Sequence, residues 1–149
     1  MTSKIVKPLL RDTYLAVINN SVGTAMFRNF YAEVDGVRSD IMRDGDLSCA
    51  FYVSAVLKMF GYISRLHGTV DGAVEDMRTS GWVDTKEPKP GDVIVWEKKK
   101  FDNGEEHNHM GFYLGENKAI SNSDRERVPV IHEFEPGRKV EAILTHPAV

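Results

Sequence analysis

Two side chains in this sequence have the type and setting for nucleophilic attack on a carbonyl. Cys49 is the only cysteine, and it opens the run Cys49-Ala50-Phe51-Tyr52-Val53-Ser54-Ala55-Val56-Leu57-Lys58-Met59-Phe60-Gly61. The apolar residues of that run fall on one broad helical face, and Gly61 is a natural stop. A thiol at a helix N-terminus meets free backbone N–H groups and the positive end of the helix dipole, which favour the thiolate. The same N–H groups can hold an oxyanion during attack. A free cysteine is most often an inert core residue, so position alone does not make Cys49 a nucleophile. His109 supplies the second part. It follows the charged loop from Lys98 to Asn108 and begins His109-Met110-Gly111-Phe112-Tyr113-Leu114-Gly115, a strand. A histidine at a strand end can project into a cleft and take a thiol proton.

The elements around these two residues change character along the chain. Leu10, Tyr14, Val17 and Ile18 share one face of a helix that Asn19-Asn20-Ser21 ends. Thr24 is expected to cap a second helical turn with Met26, Phe27, Phe30 and Tyr31 as its apolar side, and Asp35 to Asp46 reads as a polar loop. A helix is predicted from about Thr69 to Ser80. After the turn signal Pro88-Lys89-Pro90-Gly91-Asp92 come the strands Val93 to Trp96, His109 to Gly115, Ala119 to Asn122, Val128 to Phe134 and Val140 to Leu144. Helices first and an antiparallel meander second make the class α+β.

These segments resemble a known family. His109 to Gly115 looks like the His-Val-Gly-Ile-Tyr-Leu-Gly strand of NlpC-type papain-like cysteine peptidases, and Pro90 to Trp96 looks like their Pro-Gly-Asp-Leu-Val-Phe-Phe strand. Cys49, its apolar helix and Gly61 look like their nucleophile helix, and Cys49-Ala50-Phe51-Tyr52-Val53 resembles the Cys-Thr-Trp-Tyr-Val of the related CHAP amidases. The resemblance covers about Gly45 to Ser123. It departs from the pattern beside the nucleophile, where Ser48 replaces the usual Asp and Ala50-Phe51 the usual Ser-Gly.

The resemblance implies one papain-like domain over residues 1–149, with N-terminal helices packed on a central antiparallel sheet of about five strands. It implies a cysteine peptidase or amidase in which Cys49 attacks, His109 is the base and a thioester forms. Peptide or amide substrates, muropeptides among them, follow from it. A thiol acyltransferase, or a non-catalytic binding domain that keeps the cleft, would fit the same fold. For a third catalytic group, alignment to the NlpC pattern points to Ser121 and alignment to the CHAP pattern to Asn122. Asn122 is favoured, because an amide oxygen accepts the histidine N–H well. Neighbouring residues of a strand face opposite sides, so only one of the two can serve.

Other residues carry less. His107 is expected in solvent, His132 in core or surface with entry into the cleft as the alternative, and Asp92 on the amides of its own turn. Trp82 and Trp96 read as core, and His67 and His146 as ordinary turn-proximal residues. His107-Asn108-His109 lacks an obvious third ligand, so neither a metal nor a cofactor is expected. The formal charge of −3 and a pI near 5.9 argue against a nucleic-acid partner. A single cysteine excludes an intramolecular disulfide and suits a reducing compartment. No apolar stretch reads as a signal peptide or a membrane span, so the expected address is the cytoplasm.

Overall fold

The computed structural model describes residues 2–149. Among them are three helices, a two-stranded hairpin and a six-stranded antiparallel sheet. The helices are α1 (Leu10–Asn20), α2 (Cys49–Met59) and α3 (Val70–Thr79). The hairpin is β1 (Tyr31–Val34) with β2 (Val37–Asp40). The sheet takes β3 (Val83–Asp84), β4 (Val93–Lys100), β5 (Glu106–Gly115), β6 (Lys118–Asn122), β7 (Pro129–Glu133) and β8 (Val140–Thr145). Its spatial order is β3-β8-β4-β5-β6-β7. The architecture is the α+β arrangement expected, with helices on an antiparallel sheet, and the two-residue β3 raises the strand number to six. It is not a plain meander, because β8 returns across the sheet to pair with β4.

One face of the sheet is covered by the helices. Tyr14 and Ile18 of α1, Val53, Val56 and Leu57 of α2, and Ala73 and Met77 of α3 pack with Val93, Met110, Phe112, Ile120 and Leu144. Each Val, Leu, Ile, Phe or Met side chain among them contributes roughly 1.5–3 kcal/mol on burial. Tyr14 also donates its hydroxyl to the Gly91 carbonyl at 2.7 Å, tying α1 to the turn before β4. Asp92 accepts the Lys89 N–H at 2.9 Å, the turn role expected of it. Both tryptophans are enclosed, Trp82 among the helices with its indole N–H on the Tyr62 carbonyl at 2.8 Å, Trp96 against Ile94 and Ala119 on the opposite side of the sheet.

The segment after α1 departs from expectation. No second helix forms at Thr24, whose hydroxyl accepts only the Met26 N–H at 3.3 Å. Tyr31–Val34 instead pairs with Val37–Asp40 as the β1–β2 hairpin, which takes in the first half of the segment read as a loop. The cause is local. Asp35 and Gly36 both take positive φ, 49° and 79°, which a two-residue hairpin turn of matching twist requires. No helix is long and apolar enough to cross a membrane among the described residues.

Candidate active site

The chemistry-bearing residues come together where the start of α2 meets β5. Cys49 is the first residue of α2, and the Ser48 carbonyl accepts the Tyr52 N–H at 2.8 Å to begin the helix. Ser48 makes no side-chain cap, so its hydroxyl occupies none of the first-turn N–H groups that a helix leaves free. Cys49 and His109 both line a cleft of about 820 Å³, together with Ser121, His132 and Arg138. Cys49 is partly buried. Burial pushes its thiol pKa up, while the N–H groups of Met110 and Ala50 and the charge of Arg138 act against the rise. His109 moves the opposite way for the same first reason. Burial, then Arg138 and His132, lower it to about 3. Both shifts favour the uncharged forms, a neutral thiol and a neutral imidazole lining one cleft.

The histidine is held by the sheet. His109 lies opposite Trp96 in the β4–β5 pair, and the two rings sit 5.3 Å apart. Its Nε2 is 2.8 Å from the Ser121 hydroxyl oxygen. Gly111 makes this contact possible. It pairs directly with Ser121, and a Cβ there would lie 2.4 Å from the Ile120 carbonyl and 2.8 Å from the Ser121 Cβ. Only glycine lets β6 approach so closely.

Asn122, the favoured third group, does not reach His109. Its amide donates to the Gly45 carbonyl at 2.8 Å, on the helix-facing side of the sheet. The reason is a register shift. The Glu116-Asn117 turn pairs Gly115 with Lys118. Continued without interruption, that register would set Gly111 opposite Asn122. The pairing slips by one residue between Tyr113 and Gly115, so Gly111 faces Ser121 instead. A one-residue slip exchanges the faces of a strand, and it turns Ser121 toward the histidine.

Three further residues complete the surroundings of the cleft, His132 by the less favoured of its two expected placements and Arg138 unforeseen. His107 is not a free loop residue. It belongs to β5, and its Nε2 lies 2.9 Å from a Glu105 carboxylate oxygen. His132 on β7 places its Nε2 2.7 Å from the Ser121 oxygen and its ring 5.5 Å from Trp96. Arg138, from the segment between β7 and β8, donates from Nε to the Glu97 carbonyl at 2.7 Å and from Nη2 to the His107 carbonyl. It thus brings a cation beside Cys49 and His109, and burial lowers its own pKa. The Arg138 contacts depend on chain crossings that no local pattern announces, whereas the alternation of β7 could have put His132 on the face of Ser121 once register was known. Among the described residues no cluster of three or more His, Cys, Asp or Glu side chains is placed to hold a metal ion.

A thiol at the head of a helix, set against an antiparallel sheet that carries a histidine, defines a papain-like α+β architecture. The NlpC/P60 family matches residues 20–137, a span that contains α2, β4, β5, β6 and β7. The chain belongs to the NlpC/P60 family, whose members are typically cysteine hydrolases with peptidase or amidase activity. Comparison with curated proteins finds none that matches.

Proposed function

We propose that this chain hydrolyses amide bonds through a thioester on Cys49, with His109 as base and Ser121 as its orienting partner. The observation that carries the reading is the side of His109 already taken. With Nε2 engaged by Ser121 at 2.8 Å, Nδ1 is the nitrogen left for the cleft that Cys49 also lines. In the first step Nδ1 accepts the thiol proton and the sulfur attacks the carbonyl carbon. The oxyanion is held by first-turn N–H groups of α2. The C–N bond then breaks, and the amine leaves with the proton from His109. Water gives its proton to Nδ1 and attacks the thioester, releasing an acid and restoring the thiol.

The substrates proposed are peptides derived from peptidoglycan, on the strength of the family and of the motif order around Cys49 and His109. The test is turnover of short D-glutamyl and alanyl peptides by wild type and Cys49→Ala, with thermal melts of both. Hydrolysis by wild type alone, with melts within about 1 kcal/mol of each other, is expected. Wild-type protein inert on every such peptide would refute the substrate assignment.

A further inference from the structure

Ser121 is an ambivalent partner for a catalytic histidine. A hydroxyl can accept from an imidazole N–H or donate to an imidazole lone pair. If it donates to Nε2 of His109, the ring proton sits on Nδ1, and Nδ1 cannot then take a proton from the thiol. Something must decide the direction, and the geometry beyond Ser121 does so.

His132 Nδ1 lies 2.9 Å from the Glu133 carbonyl oxygen. A carbonyl only accepts, so Nδ1 of His132 carries a proton, and in the neutral form of the ring Nε2 presents a bare lone pair. That lone pair is 2.7 Å from the Ser121 oxygen, so the hydroxyl proton points toward His132. The remaining lone pair of Ser121 then accepts the Nε2–H of His109 at 2.8 Å, and Nδ1 of His109 is left as an acceptor. The chain runs one way, from His109 to Ser121 to His132 to a main-chain carbonyl. Trp96 supports both imidazoles, with centroids at 5.3 Å and 5.5 Å. β-Sheet register fixes the spacing, since His132 pairs with Ala119 and Ser121 with Val130 on adjoining strands.

We infer that His132 is a positioning residue that acts through Ser121 to hold His109 as its Nε2–H tautomer, with Nδ1 free to serve as base. The inference rests on the proposed role of His109, but its readout does not need turnover. Nitrogen-15 NMR of histidine-labelled full-length protein reports the tautomer of His109 directly. Wild type is expected to show the Nε2–H form. His132→Phe keeps a ring against Trp96 and removes the acceptor, so the His109 signals should move toward the Nδ1–H form. His132→Gln offers a carboxamide oxygen to the same hydroxyl and should restore the wild-type pattern. Ser121→Ala, which removes the link, should leave the tautomers mixed, and it decides the matter if His132→Phe does not fold. In the hydrolase assay kcat of His132→Phe should fall about tenfold with KM unchanged, and His132→Gln should recover most of it. A wild-type His109 in the Nδ1–H form would overturn the inference. So would tautomer and kcat unaltered in both His132→Phe and Ser121→Ala. An inactive wild type whose His109 is Nε2–H and responds to His132→Phe supports the relay while ending the hydrolase reading.

Discussion

Two histidine clusters, one beside α3 and one in the cleft, are wired differently. On the α3 side, His67 meets Asp76, Nε2 to Oδ2 at 2.7 Å, with both residues 8% exposed. Asp76 also accepts the Ser64 N–H and hydroxyl, the Arg65 N–H and the Ser80 hydroxyl. Burial alone would raise the Asp76 pKa. The hydrogen bonds from His67 and Ser64 outweigh it and hold the carboxyl well below the usual carboxylate range. In the cleft, His109 has no carboxylate. Its partner is a neutral hydroxyl, and burial lowers its pKa to about 3, which favours the neutral ring. A carboxylate partner closes a cluster into a fixed support. A hydroxyl orients a ring without charging it, which leaves a neutral base facing the cleft.

The difference is open to direct attack by mutation. Asp76→Ala should unfold the first cluster, because it strands a buried histidine, two backbone N–H groups and two hydroxyls. The expected loss is about 3–5 kcal/mol, read as a fall in Tm on the order of 10 °C, with kcat per folded molecule nearly unchanged. Ser121→Ala should show the reverse, a kcat reduced about tenfold and a Tm within a few degrees of wild type. Equal Tm losses for the two variants would erase the distinction.

The two clusters should also separate on the pH axis. The His109 pKa is lowered to about 3 in the fold and is near 6.5 when unfolded, so the unfolded chain binds the extra proton first. Its contribution is complete above pH 6.5 and is lost as pH falls from there toward 3. The Asp76 contribution, with a depressed carboxylate pKa, is kept until pH drops below its ordinary value of 3.8. Melts of wild type between pH 7 and pH 4.5 should therefore decline, and His109→Gln should flatten that decline. A decline of the same size in His109→Gln would assign it to other groups.

A smaller effect concerns the resting thiol. Burial pushes the Cys49 pKa up and Arg138 acts against it. Iodoacetamide alkylation should climb only at alkaline pH, and Arg138→Ala should move the midpoint higher still. A flat, fast rate across pH 5 to 8 would instead mean a preformed thiolate–imidazolium pair in the cleft.

Much of this architecture was readable in the sequence, and the unreadable parts have physical causes. The apolar face of Cys49 to Phe60 and the alternation after Pro88 announced α2 and the sheet strands, because burial imposes those periods. The β1–β2 hairpin was missed although Asp35-Gly36 is a strong turn pair, since the flanking strands are exposed and carry no apolar alternation. Ser121 rather than Asn122 contacts His109 because of one residue of slip near Leu114. Bulges depend on the paired strand as much as on their own residues. Entry of His132 into the cleft could be weighed but not decided, because it depends on the pairing of β7 with β6, and Arg138 lies between β7 and β8 where no strand pattern points to it.

The central claim is that Cys49 carries the acyl group, and it can be caught in the act. Wild-type protein mixed with a D-glutamyl peptide, quenched in acid within the first turnover and digested, should yield the peptide containing Cys49 with the added mass of the acyl moiety. Hydroxylamine should remove that mass, as it does for a thioester, and Cys49→Ala should show neither adduct nor product. Continued release of product by Cys49→Ala at the wild-type rate, or an acyl mass on any other residue, would contradict the account.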